Sequence, residues 1–318
     1  MNKLSTSSKH SLLIRTISAI VLIAIFIPCV ILGGWFFVGA IIVISGACIY
    51  EILITGGRNR YPIYIYLVCF IADFLMIFWQ FFASESVRAS IGQYNIVLDN
   101  IAISPFMIVI FFFAVFVTVL FSERFTLADG CYVFAMNLYI SLSMLSLLYL
   151  RFRPDAYYNG SKFIASCLLI VYMAVGAFMN DIGAYLFGIT FGKHKMSPRI
   201  SPNKTWEGFF GGIFCSILLS MLFAYFFELG GYPVLPGIIS YADNKWVWIL
   251  TISLIIPIAG DFGDLLFSAI KRHYGIKDFS NLIPGHGGFL DRFDSITFVA
   301  MFCATVLVLI ERGWSVVI

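Results

Sequence analysis

Long intervals without a charged residue recur along this chain. Residues 16–50 form the longest, followed by 100–122, 130–150, 163–180 and 208–227. Each approaches or exceeds the ~20 apolar residues that a helix needs to cross a ~30 Å hydrocarbon core. The runs are continuous and lack the apolar–polar alternation of barrel strands. Lipid also requires backbone polar groups to be paired within the spanning segment, which a helix achieves alone. The pattern predicts an all-α integral membrane protein of about nine transmembrane helices, near 12–32, 35–54, 62–82, 101–122, 128–150, 163–189, 208–228, 246–270 and 293–312. Gly33-Gly34 divides the first interval, which is too long for one span.

Composition agrees. The chain is 61% hydrophobic and 12% charged, with 34 Phe, and its mean hydropathy is +0.95. Soluble domains carry about 25% charged residues. Lys3, Lys9 and Arg15 precede the first apolar run. That run is too long for a signal peptide and ends without a small-residue cleavage site, so it reads as an uncleaved first helix. The seven Cys lie in apolar stretches without a CxxC pair, which argues against zinc and disulfide frameworks.

Charge sets the orientation. With the N-terminus in the cytoplasm, 14 of the 20 Lys and Arg fall in cytoplasmic segments and 6 on the other side, as the positive-inside rule expects. Arg151, Arg153 and Lys162 cluster against that trend. We read residues 1–160 as N-terminal scaffold helices with dimer contacts. Residues 161–318 read as a catalytic region with cytoplasmic loops 190–207 and 271–292. Both loops face the same side, so distant segments can build one site.

Three polar constellations interrupt the apolar pattern. In "MNDIGAYLFGITFGKHKMSPRISPNKTWEGFFGG", Asp181 lies in an apolar run, where a carboxylate is a functional candidate by default. Gly183, Gly188 and Gly192 allow close approach of a helix or ligand. Lys193, Lys195, Arg199 and Lys204 then supply cations, Ser201-Pro202 reads as a turn, and Lys204-Thr205 precedes a helix. A helix N-terminus beside lysines suits an anion, although a plain topology-setting basic loop has the same composition.

In "IAGDFGDLLFSAIKR", Asp261 and Asp264 share one helix face. Such a pair repels unless a proton or cation lies between its members, and a divalent cation with oxygen ligands meets that need. A proton relay or a transporter's ion site would use the same pair. In "KRHYGIKDFSNLIPGHGGFLDRFDS", Lys271, Arg272 and Lys277 can hold phosphates. The glycines around His286 form a turn whose N–H groups can face an anion. His286 itself suits a turn-stabilising hydrogen bond, a phosphate contact or a proton donor. Asp291 and Asp294 repeat the three-residue spacing. Carboxylates, cations and glycines at a membrane face fit phosphoryl or nucleotidyl transfer, with a lipid as one reactant.

At these residues the chain resembles the phosphatidate cytidylyltransferase (CDP-diacylglycerol synthase) family. The family's C-terminal signature is complete here over 27 residues: Ser268, Ile270, Lys271-Arg272, Lys277-Asp278, Ser280, Pro284, His286-Gly287-Gly288, Asp291-Arg292 and Asp294. The upstream block containing "SPNKTWEG" is similar to the family's second conserved block, so the specific resemblance runs from about 179 to 298.

The resemblance implies transfer of CMP from CTP to phosphatidic acid, giving CDP-diacylglycerol and pyrophosphate. It implies Mg²⁺, with room for K⁺ as a second cation, and a homodimer of nine-helix protomers. It also implies that Asp264 and Asp291 hold the metal, which leaves Asp261, Asp181 and Asp294 as supporting carboxylates. Lys271, Arg272 and His286 complete the expected catalytic set. Lys193, Ser201, Lys204, Thr205, Lys277, Gly287, Gly288 and Arg292 are the expected substrate-binding residues. A bacterial cytoplasmic membrane is the expected location, with the site facing the cytoplasm and no nucleic-acid partner.

Two positions depart from the family's common pattern. Phe267 stands where many members have Glu, and Ile182 where many have a hydroxyl residue. Asp261 is the candidate to compensate for the missing Glu. A CTP-dependent polyprenol kinase and a cation-coupled transporter are the alternatives. Release of CDP would mark the former, and a midplane ion site the latter.

Overall fold

The computed structural model describes residues 6–57, 60–83, 98, 101, 103–158 and 163–312. Among them, nine helices of 17 residues or more follow in chain order. They are α1 (Thr6–Leu32), α2 (Gly34–Ile54), α3 (Ile63–Ala83), α4 (Pro105–Phe121), α5 (Leu127–Phe152), α6 (Phe163–Phe191), α7 (Trp206–Leu229), α8 (Trp246–His273) and α9 (Leu290–Arg312). Seven are long and apolar enough to cross a membrane. The other two, α3 and α4, offer the shorter apolar stretches Ile63–Trp79 and Pro105–Phe121. On α7, Phe210, Phe214, Leu218, Leu222 and Phe226 project outward one turn apart. Such an apolar face suits lipid and not water. This is a multi-pass membrane protein.

Local chemistry sets the breaks. Gly33 takes a φ of 63° between α1 and α2, open to glycine at little cost. Thr126 and Asp129 form a reciprocal capping box at the start of α5. Thr205 caps α7 by accepting from the Gly208 N–H at 3.1 Å. At the end of α8, Gly275 N–H donates to Arg272 and Ile276 N–H to Lys271, the pairing of a Schellman stop.

The structure corrects two sequence expectations. The loop after α6 contains a two-stranded antiparallel hairpin, β1 (Lys195–Ser197) and β2 (Ser201–Thr205). Ser201-Pro202 therefore begins a strand and does not open the turn, within a fold that is otherwise mostly helical, as expected. The hairpin is tied to α7 through His194, whose N–H and ring nitrogen both engage Glu207. The second correction concerns the loop read as 271–292. Helical structure in α8 extends to His273 and α9 begins at Leu290. Lys271, Arg272, Asp291 and Arg292 are thus held on helices.

Packing orders these elements around the polar residues. The helix α6 packs against α7, α8 against α9, and α9 in turn against α5. Small residues permit the α6–α7 approach. A Cβ at Gly183 would lie 2.7 Å from Cys215 Cβ, and one at Gly212 2.5 Å from Asn180 Oδ1. Arg151, which ran against the charge trend, is 2% exposed. It donates to the last carbonyls of α1, Val30 at 2.6 Å and Ile31 at 3.3 Å, and pairs with Asp155 at 3.5 Å. Arg153 pairs with Glu311 at 2.9 Å. These two arginines join helix ends and are not free loop charges. Lys162 and the segment around Arg88 lie outside the described residues.

Candidate active site

Two lysine–carboxylate centres lie along α8. In the first, Lys204 reaches from β2 and its Nζ bridges Asp261 Oδ1 at 2.6 Å and Asp264 Oδ2 at 2.8 Å. Asn180 of α6 donates to the other Asp261 oxygen at 3.1 Å. Asp181 is within electrostatic reach of Asp261, Lys204 and Asp264. Burial alone would lower the Lys204 ammonium, but Asp261 and Asp264 outweigh it and hold Lys204 above its ordinary value. The cation that the aspartate spacing demanded is, in this arrangement, a lysine. A cavity of about 180 Å³ adjoins the centre, lined among others by Tyr185, Asn203, Lys204, Thr205, Gly208 and Asp261.

In the second centre, Lys271 Nζ is 2.7 Å from Asp291 Oδ1. The other Asp291 oxygen accepts the N–H groups of Phe279 at 2.8 Å and Gly288 at 3.0 Å. Asp294, one turn further along α9, is within electrostatic reach of Asp264, Lys271 and Asp291. It is buried and accepts the Ser295 N–H at 2.8 Å. Asp294 is therefore in electrostatic reach of both centres.

The glycine turn is strapped from several sides. Ile283 N–H donates to Gly287 O at 2.8 Å, and His286 N–H to Ile283 O at 3.0 Å. Gly285 and Gly287 have φ values of 76° and 86°, which a side chain would strain. The ring Nδ1 of His286 lies 2.9 Å from Ser18 Oγ of α1, which also donates to Pro284 O at 2.8 Å. Arg292 donates twice to the His286 carbonyl, at 3.1 and 2.8 Å. His286 is thus joined to α1 by its ring and to Arg292 by its carbonyl. Partial burial, with Arg292 and Arg15 nearby, keeps its imidazole below the ordinary histidine value.

The other expected binding residues surround these centres. Lys193, Arg272 and Lys277 are exposed, and Ser201 is half-buried in β2. Thr205 is buried as a helix cap. The four carboxylates expected at a metal, Asp181, Asp261, Asp264 and Asp291, divide between two ion-paired centres. Among the described residues, no three His, Cys, Asp or Glu side chains form a ready-made metal cluster. Phe267 is fully buried against Tyr139, Phe279 and Phe298.

Sequence reasoning missed Glu51. It lies on α2, is 0% exposed, and accepts from Ser280 Oγ at 2.6 Å and from the N–H groups of Phe289 and Leu290, both at 2.8 Å. The available signal was an acidic residue inside an apolar run, the same rule that singles out Asp181.

The model of the cytidylyltransferase family matches residues 13–310. The phosphatidate cytidylyltransferase of Staphylococcus aureus (strain COL) is 31% identical over 294 residues, covering 90% of this chain and 95% of that protein. The protein of the same name from Staphylococcus haemolyticus is 31% identical over 288 residues, and that from Staphylococcus epidermidis 32% over 286, each with the same coverage. The match takes in both lysine–carboxylate centres and the helices that carry them, and on that ground the chain belongs to the cytidylyltransferase family.

Proposed function

We propose that this protein is a phosphatidate cytidylyltransferase, transferring CMP from CTP to phosphatidic acid and releasing pyrophosphate and CDP-diacylglycerol. The observation that carries the reading is the pair of lysine–carboxylate centres built on α8 and the complete signature from Ser268 to Asp294. Neither the family nor the relatives' names carry the lipid-kinase or transporter alternative.

A phosphatidate phosphate is mostly dianionic near neutral pH, since the second pKa of a phosphomonoester is about 6. It needs no strong general base. One of its oxygens forms a bond to the α-phosphorus of CTP while the bond to the bridging oxygen breaks and pyrophosphate leaves. The obstacle is bringing several negative charges together. Lys204, Lys271 and Arg272 lower that cost, and exposed Lys193, Lys277 and the Arg292 side of the turn supply further positive charge at the rim. Ser201, Thr205, Gly287 and Gly288 shape the walls of the binding site.

The donor set suits a hard cation. Asp261 and Asp264 already converge on one positive charge, with Asp181 in electrostatic reach, and carboxylate oxygens are the ligands Mg²⁺ takes. Asp261, Asp264 and Asp181 would hold it at the first centre, and Asp291, with Asp294 in support, would take K⁺ as a second cation at the other. Mg²⁺ bound there would neutralise triphosphate charge. His286 acts through the turn that it holds.

The same reading extends to the assembly. The nine long helices all span the bacterial cytoplasmic membrane, with the site open to the cytoplasm, and two protomers associate through the helices before residue 160. Residues after 160 carry most of the chemistry.

The deciding experiment supplies purified protein in detergent with phosphatidic acid, Mg²⁺ and cytosine-labelled CTP. Label enters the lipid phase with matching pyrophosphate, and Asp291→Asn abolishes both. Release of CDP without labelled lipid would overturn the reading.

A further inference from the structure

Two carboxylates share the backbone of the glycine turn in alternation. Phe279 N–H donates to Asp291, and Ser280 Oγ to Glu51. At the other end, Gly288 N–H donates to Asp291, and the N–H groups of Phe289 and Leu290 to Glu51. The segment is therefore closed at both ends by the same two acids. One arises from α9 itself, and the other from α2, more than 200 residues earlier in the chain.

We propose that Glu51 is a positioning residue for nucleotidyl transfer: it clamps the 279–291 turn so that Asp291 and Lys271 keep their working geometry. The kinetic part of this inference rests on the cytidylyltransferase reading.

Three observations carry it. The Glu51 carboxylate is buried, and the donors it engages are neutral. A buried charge without a cation is retained only where hydrogen bonds compensate it. Here they come from Ser280, Phe289 and Leu290, at the two ends of the turn. Second, Phe289 and Leu290 lie at the start of α9, where unpaired N–H groups and the helix dipole favour an anion. Glu51 thus caps, from another helix, the helix that bears Asp291 on its first turn. Third, a Cβ on Gly288 would lie 2.6 Å from both Glu51 oxygens. The second glycine of the His-Gly-Gly run is therefore required by Glu51, while the first is required by its backbone angle.

Glu51→Gln keeps the shape but replaces one acceptor oxygen with an NH₂ that faces donors. We expect kcat to fall about 10- to 100-fold, as for groups that orient a catalytic ligand, with the KM for CTP little changed. Backbone amides of residues 279–290 should exchange faster with deuterium, while the thermal midpoint of the whole protein moves little. Ser280→Ala removes one half-buried donor and should shift both readouts the same way, by less. In the double variant the Ser280 change should cost little more, because both alter one interaction.

Unchanged kcat and unchanged exchange in Glu51→Gln would overturn the proposal. Should that variant fail to fold, Ser280→Ala with wild-type exchange and kcat would overturn it equally. If wild-type protein transfers no CMP, the functional reading has failed, and the exchange measurement still decides whether Glu51 holds the turn.

Discussion

Lys204 places its ammonium between Asp261 and Asp264, 2.6 Å from one and 2.8 Å from the other. A single positive charge from the hairpin thereby compensates two carboxylates on the facing side of α8. Replacing Lys204 with Met leaves the pair repelling and removes a cation from the cavity. We predict a loss of about 10²- to 10³-fold in CMP transfer, the range for removing one electrostatic group from an active site. Lys204→Arg should recover little, because a planar guanidinium cannot replace a point charge between two oxygens at these distances. Transfer within a few-fold of wild type for Lys204→Met would refute this assignment.

Asp261 is expected to serve beside Asp264 as a further metal carboxylate on the same face of α8. Its second oxygen is already held by Asn180 at 3.1 Å. Asp261→Asn should lower the rate and raise the Mg²⁺ concentration needed for half-maximal transfer. A titration of activity against Mg²⁺ checks both, and an unchanged curve with an unchanged rate would sink the idea.

His286 titrates below the ordinary histidine range, through partial burial and the nearby positive charges of Arg292 and Arg15. The unfolded chain therefore binds this proton more readily than the folded one. The stabilising effect is complete above about pH 6.5, the unperturbed value. It is lost as the pH falls through the lower folded value. Thermal midpoints in detergent between pH 8 and pH 5 should drop more for wild type than for His286→Gln. Equal slopes would show that the imidazole does not contribute.

Arg151 joins the end of α1 to the helical turn that carries Asp155. Arg151→Met keeps much of the apolar volume but removes the cation beside Asp155 and the donors to the α1 carbonyls. The expected cost is about 3–5 kcal/mol, the range for breaking a buried ion pair from one side. Thermal unfolding in detergent would measure it, and a wild-type midpoint would show the pairing to be dispensable.

Much of this protein is legible before folding is considered. The apolar runs locate the long helices to within a few residues because lipid imposes a length and forbids unpaired backbone. The spacing of Asp261 from Asp264, and of Asp291 from Asp294, reveals shared helix faces because helical geometry is local. The order of residues from Ser268 to Asp294 also identifies the chemistry, since those positions are neighbours in the chain.

Partner choice was decided only by the tertiary structure. The three-residue spacing called for a proton or a cation beside Asp261 and Asp264, and the hairpin's place before α7 brings Lys204 to them. Arg151 looked like a misplaced surface charge until the end of α1 was seen against it. Glu51 was visible as an acid in an apolar run, yet what it holds depends on α2 meeting the turn before α9. Hydrogen bonds and ion pairs act over about 3 Å, so a sequence can specify the groups while only the packed helices determine which of them meet.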